Sequence, residues 1–437
     1  MSARGGEATL SAVTASGRTV ARGGRVALRN ARVSALFIAG GSEALIAEWL
    51  LRAAGHSLGL AGFAAAVVAL AAANAAALLA LPRVARRARA GYVLGRVWLV
   101  ASVAALVTGP LLAAVFALFG PLVWLGPRSD GVGATLLVSA GGAAVALGFG
   151  SIFWGYLVGQ RRVEIDRIEL PLPGLPAALA GLRVVQISDL HIGLQLRAPL
   201  LRELVARVNA LEADLVVITG DVFDFDPSFI EEGCRELAAL RAPMGVFCVL
   251  GNHDVYTGAD AVAAGLGHFT KIRVLRDEWV ALELAGAKLA LAGVEDTGHG
   301  WSERDATHAA LARLAREIPA GLPRLLLIHR PSYFEQAARL GFPAALAGHT
   351  HGGQIALPGP GRHHNVSRLI SRWTRGLFRD EVSGALLYVN RGLGVAGPPV
   401  RLNCPREISL LRLVQAPEAA FAVPPAPGQA LLVRPVA

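Results

Sequence analysis

The sequence predicts a chain in two parts, a multi-span α-helical membrane region followed by an α/β domain. Three observations carry this. Hydrophobic residues make up 54% of the 437 and charged residues only 17%, below the roughly 25% charged of a soluble domain. Four apolar runs crowd the first 160 residues. Beyond Gly181 short β-rich runs alternate with helically spaced segments, the pattern of an α/β fold. A composition this apolar excludes a disordered, nucleic-acid-wrapping polycation.

The formal net charge of +10 resembles a nucleic-acid signal until it is divided by position. Residues 1–170 hold 16 Arg against 7 acidic residues, while the remainder holds 26 basic against 25 acidic. The basic residues flank apolar runs, as membrane topology requires, so no nucleic-acid partner is expected. Lys271 and Lys288 are the only lysines and neither lies in a G-x-x-x-x-G-K-[ST] context, which excludes a P-loop. Cys234, Cys248 and Cys404 are far apart and outside any C-x-x-C. That argues against a disulfide framework or a cysteine zinc site and agrees with a reducing compartment.

Residues 1–33 are Gly- and Arg-rich and are expected to form a disordered cytoplasmic lead. The first apolar run opens only near Ser34, which speaks against a cleavable signal peptide. The transmembrane region is placed at 34–159. Ser34–Leu51 contains Glu43 and Glu48, which mark either a polar site within the membrane or an interfacial segment. Leu58–Leu81 is interrupted by Asn74. Val97–Gly126 carries no charge, with Pro110 and Pro121 expected to kink or shorten it, and Gly131–Gly159 is likewise uncharged. A span needs about 20 apolar residues, so three or four helices are expected. Arg83, Arg86, Arg87, Arg89 and Arg96 crowd the loop after the second run, whereas Arg128 is offset by Asp130 after the third. Arg-rich loops stay inside. The domain beyond residue 160 is therefore expected on the cytoplasmic face of a bacterial inner membrane.

That domain is placed at 182–414, with a flexible tail at 415–437. Arg183–Ser188, Asp214–Thr219, Gly245–Leu250, Leu289–Val294 and Arg324–Ile328 read as buried strands. Leu200–Leu211, Glu231–Leu240 and Ala306–Arg316 have helical spacing.

Five apolar runs end in residues of metal-ligand type. Asp189 and His191 follow VVQIS; Asp221 and Asp224 follow VVIT; Asn252 and His253 follow FCVL; His329 follows LLLI; His349 and His351 follow AALA. Any one of these alone is an ordinary turn or cap. Five in order are not. Two divalent ions about 3.5–4 Å apart clamp the attacking and leaving oxygens of a phosphoryl displacement. A shared carboxylate bridges such a pair, and neutral imidazole or amide ligands keep the site open to a phosphate anion. His363 and His364 in a Gly/Pro-flanked loop, and His268, His299 and His308, lack ligand spacing and are expected to be surface or capping residues.

The series DLH, GDxxD, GNHD, His329 and GHTHGG resembles the calcineurin-like metallophosphoesterase family. The extended GHTHGGQI at Gly348–Ile355 and YVNRGLGVAGPPVRLNCPREI at Tyr388–Ile408 resemble its membrane-associated bacterial branch, which includes phosphodiesterases and UDP-diacylglucosamine pyrophosphate hydrolases. The resemblance implies a two-sheet αββα sandwich. It implies two divalent ions (Mn, Fe, Zn or Co), one held by Asp189, His191 and His351 and the other by Asn252, His329 and His349, with Asp221 bridging. His253 is then a catalytic group beside the leaving oxygen, oriented by Asp224. It implies hydrolysis of a phosphodiester or pyrophosphate bond in a membrane lipid or lipid-linked phosphate. Alternatives are a phosphomonoesterase or nucleotide phosphodiesterase using the membrane only as anchor, or a catalytically silent membrane sensor or scaffold. Phe225 stands where phosphoprotein phosphatases have Arg, and GNHD replaces their GNHE, which argues against protein dephosphorylation.

Overall fold

The computed structural model describes residues 34–87, 89–125, 131–298, 307–356, 365–369, 371–380, 383–416 and 433–435. The lead expected at residues 1–33 lies outside them. The chain divides into two compact units, Met1–Phe153 and Trp154–Ala437.

Four helices long and apolar enough to cross a membrane lie among the described residues. They are α1 (Ser34–Ala53), α2 (Gly59–Arg87), α3 (Arg89–Leu125) and α4 (Val132–Leu157). Pro110 and Pro121 do not shorten α3, which runs through both. Proline is tolerated in apolar helices because neighbouring helices satisfy the freed carbonyls. The two glutamates of α1 are tied to polar groups. Glu43 accepts from Asn74 Nδ2 at 2.9 Å, Asn74 accepts from Trp98 Nε1 at 3.2 Å, and Glu48 pairs with Arg52 at 2.6 Å. Within this unit small residues let helices approach: a Cβ on Gly109 would lie 2.5 Å from that of Ser42, and one on Gly141 would lie 2.2 Å from Trp49 Nε1.

The second unit is a sandwich. One sheet has the order β1-β12-β2-β3-β4-β5, made of β1 (Val163–Pro173), β2 (Arg183–Ile187), β3 (Leu215–Thr219), β4 (Val246–Val249), β5 (Ile272–Val274) and β12 (Arg406–Ala416). The other has the order β13-β10-β11-β9-β8-β7-β6. Its strands are β6 (Glu278–Leu284), β7 (Ala287–Gly293), β8 (Arg324–Leu327), β9 (Ala344–Ala347), β10 (Gly376–Asp380), β11 (Leu386–Val389) and β13 (Val433–Pro435). All five residues of β3, LVVIT, are buried, as expected of a strand covered on both faces.

Val184, Leu215, Val217 and Val249 meet Leu289, Leu291, Leu325 and Leu346 between the sheets. Outside the first sheet lie α5 (Ala198–Asn209), α6 (Ile230–Leu237) and α7 (Asn252–Phe269), whose Leu204, Cys234 and Leu266 join its outer core. Outside the second lie α8 (Ala309–Glu317) and α9 (Phe334–Arg339), packed through Leu311, Leu314 and Phe334. The four layers are those of the αββα expectation. Truncating a wholly buried side chain such as Leu346 should cost about 2–5 kcal/mol.

The domain begins earlier than residue 182. β1 pairs in parallel with β12 along its whole length, Val163 opposite Arg406 through Pro173 opposite Ala416. At the other end, residues 415–416 complete β12 and Val433–Pro435 pair with β10, within the stretch expected as tail.

Candidate metal centre

Parallel strands deliver their C-terminal ends to one edge, where open α/β sheets place ligand sites. Asp189 and His191 follow β2, Asp221 and Asp224 follow β3, Asn252 and His253 open α7 after β4, His329 follows β8, and His349 and His351 follow β9. The fold brings all nine together. Asp189, His191 and His351 offer ligand atoms within 4.8 Å of one another, as do Asp221, His329 and His349; a third set, His191, Asp221 and His253, overlaps both.

The contacts are short and mostly buried. His191 Nε2 lies 2.9 Å from His351 Nε2 and 3.5 Å from Asp221 Oδ2. His351 Nε2 lies 3.3 Å from Asp189 Oδ1. On the other side His329 Nε2 lies 3.1 Å from both Asn252 Oδ1 and His349 Nδ1, and 3.2 Å from Asp221 Oδ2. His329 Nδ1 donates to Thr219 O at 2.8 Å, the second hydrogen bond that fixes a ligating imidazole's orientation. Asp221 therefore touches a histidine of each side.

Neutral imidazole nitrogens that meet nitrogen to nitrogen need a proton or a cation between them. His191 Nδ1 and His351 Nδ1 are moreover buried without a hydrogen-bond partner, which a burial rule this strict leaves to be explained. The donor set of Asp, His and Asn suits Mn, Fe, Zn or Co. The residues fit a pair of divalent ions.

Charge is strongly organised here. Burial would raise Asp221, but His329, His191 and His253 hold its carboxyl well below the usual range. Burial would lower His329, yet Asp221 and Asp189 push it up to about 10. Burial and the neighbouring His191 push His351 well down, whereas Asp224, Asp221 and Asp189 raise His191 against its burial. Burial opposes the ionisation of Asp224, but His191, whose Nδ1 lies 3.6 Å away, and hydrogen-bonded His253 keep it at about 2. Asp224 Oδ1 accepts from His253 Nδ1 at 2.9 Å.

The backbone bends sharply to aim these groups. φ is positive at Asp189 (48°), His191 (47°), Asp221 (53°), His349 (70°) and His351 (51°), a region where Asp and His are the better-tolerated side chains. Such strain costs of order 1–3 kcal/mol per residue and persists only where the surroundings impose it. Two glycines permit the approach: a Cβ on Gly251 would lie 2.2 Å from Asp221 Oδ1, and one on Gly348 would lie 2.3 Å from Asp189 Oδ2.

Sequence reasoning missed what imposes the strain. Leu393 N donates to Ser188 O at 2.9 Å and Gly394 N to Asp189 O at 2.6 Å. That loop is pinned by Arg401, which is 0% exposed and donates to the carbonyls of Arg391, Gly392, Gly394 and Cys404. Asp254 was also missed. It accepts from the backbone N–H groups of Val222, Phe223 and Gly251 at 2.9–3.1 Å. Its signal was present: an acidic residue three positions past a helix cap reaches back to that cap. Of the histidines left aside, His308 caps α8 but is buried rather than on the surface, and His268 is exposed. His299, His363 and His364 lie outside the described residues.

The family model for calcineurin-like phosphoesterase matches residues 182–353. The chain is 31% identical over 245 residues to an uncharacterized metallophosphoesterase, YkuE, of Bacillus subtilis, covering 55% of this chain and 81% of that protein. It is 30% identical over 274 residues to an uncharacterized metallophosphoesterase of Aquifex aeolicus, covering 62% of this chain and 97% of that one. It is also 30% identical over 280 residues to a bovine "transmembrane protein with metallophosphoesterase domain", covering 60% of each. The match thus spans about 60% of the bovine relative's length. The chain belongs to the calcineurin-like metallophosphoesterase family.

Proposed function

We propose that the chain is a membrane-anchored two-metal hydrolase of a phosphodiester or pyrophosphate bond, acting on a lipid-linked substrate at the cytoplasmic face of a bacterial inner membrane. The observation that carries it is Asp221, placed between two sets of histidine ligands. Asp189, His191 and His351 would hold one divalent ion and Asn252, His329 and His349 the other, with Asp221 shared. Two such ions supply Lewis-acid stabilisation of phosphoryl charge and an activated water at neutral pH.

The chain's own groups do the rest. Asp224 grips His253 Nδ1, leaving Nε2 to give a proton to the departing oxygen. The start of α7 at Asn252 turns partly positive backbone N–H groups toward the site, which favours an anionic substrate. Four helices of spanning length and arginine-flanked apolar runs support a lipid-linked substrate over one in bulk solution.

Full-length protein in detergent, supplemented with Mn²⁺, should cleave bis-p-nitrophenyl phosphate and UDP-diacylglucosamine faster than p-nitrophenyl phosphate. Turnover of the monoester alone would overturn the proposal. A phosphatase reporter fused after residue 170 should be silent and a fluorescent protein at the same junction bright; the reverse would move the domain to the other face.

A further inference from the structure

Phe225 has a backbone that its side chain does not favour. Its φ is +51°, and the N–H of Asp226 donates across it to the carbonyl of Asp224 at 2.6 Å, a tight three-residue turn. A bulky residue in the left-handed region is an outlier, and strain of this kind concentrates where it serves a site. The result of the strain is a phenyl ring pushed outward. Phe225 is 55% exposed, although burial would favour it.

That ring is not isolated. Its centroid lies 4.4 Å from the His253 ring and 5.8 Å from the Tyr256 ring, and the planes of Phe225 and Tyr256 differ by only 4°. Tyr256 follows His253 by three residues on α7 and so shares its face. It is itself 46% exposed, and its hydroxyl is tied to Gly298 O at 3.2 Å, which fixes the ring's plane. Among the described residues beyond position 160, Phe225 and Tyr256 are the large aromatic side chains left exposed. Both flank the one histidine that the proposed function places at the leaving group.

We infer that Phe225 and Tyr256 form a stacking ledge for a planar heteroaromatic base, so that the leaving half of the substrate is a nucleotide. This rests on the reading of His253 as the leaving-group acid. Two parallel rings, that of Tyr256 held by its hydroxyl, match a flat π-face, whereas an acyl chain would call for an elongated apolar groove. Stacking is tolerant of base identity, so the ledge selects a base over none rather than one base over another.

The test is competition binding on Mn²⁺-loaded, full-length protein in detergent, with fluorescent ethenoadenosine 5′-monophosphate as probe. Adenosine 5′-monophosphate should displace it about 10- to 100-fold more effectively than ribose 5-phosphate, the range expected for one stacked base. In Phe225→Ala and Tyr256→Ala that advantage should fall to near unity with metal content unchanged, and Phe225→Trp should retain it. Three results overturn the ledge: no advantage of the base in the wild type, an advantage untouched in both Ala variants, or a decyl phosphate whose binding depends equally on Phe225. Should Phe225→Ala lose its metals, Tyr256→Ala on its exposed helical position decides alone. A base advantage in a protein that hydrolyses no diester or pyrophosphate would sink the proposed function and leave the ledge standing. Diester hydrolysis without a base advantage would do the opposite.

Discussion

On one side of Asp221, the side chains of Asp189, His191 and His351 are buried and Asp189 is braced through its backbone by the Leu393–Gly394 loop and buried Arg401. On the other, Asn252 and His329 rest on the start of α7 and on Thr219 O, and His349 is only part-buried. Each side offers two histidines, with a carboxylate (Asp189) on the first and an amide (Asn252) on the second, and the support differs as well. A braced, dry set of ligands holds an ion in fixed geometry, while a half-open one leaves room for a phosphate to enter. With one ion on each side, as proposed, the first side should retain its ion longer and the second should admit the phosphate.

Asp221→Asn tests whether the two sides are truly joined. It should remove both ions, and with them several kcal/mol of transition-state stabilisation; metal analysis showing two ions still bound would refute the shared role. One-sided changes come next. Asp189→Asn and His349→Ala should each leave about one ion per chain, and in the wild type the ion beside His349 should exchange with chelator first. Simultaneous loss of both ions at equal rates would erase the comparison.

His253→Ala should cost no metal but slow turnover by about 10²–10⁴-fold, less for substrates whose leaving group needs no proton. Loss of an ion in this variant would instead make His253 a ligand, which its position with His191 and Asp221 permits geometrically. The smallest effect is on pH. In the metal-free protein His329 carries a proton up to about pH 10, and a ligand must release it. Below that value each unit of rising pH should therefore tighten metal binding by up to about tenfold per displaced proton, readable as proton release in calorimetry across buffers. Affinity constant between pH 7 and 9 would contradict it.

Much of the centre was legible because its residues stand immediately after apolar runs such as VVQIS and VVIT, which bury on both faces and must stop where polar groups begin. β1 was not. Its Val-Glu-Ile-Asp-Arg-Ile-Glu alternation follows Arg161 and Arg162, and reads as a charged stretch flanking a membrane helix until β12 is seen beside it. Arg391 and Arg401 escaped notice for a related reason. Arginine is normally a surface residue, and nothing in the sequence announces that Arg401 will be enclosed by carbonyls or that Arg391 will grip Glu164, Asp166 and Glu407. Phe225 stands out in the sequence only as a departure from Arg, and its strained turn has no sequence signature.

The position of β12 has a consequence for biosynthesis. It lies between β1 and β2, so the first sheet is interrupted until the last long strand of the chain emerges. Val163 and its partner Arg406 are roughly 240 residues apart, a delay of tens of seconds at the ordinary pace of translation. Through that interval β1 has no neighbour and the edge of β2 stays open, the kind of edge that recruits other chains. Only when β12, which ends at Ala416, has been made can both of these strands be paired.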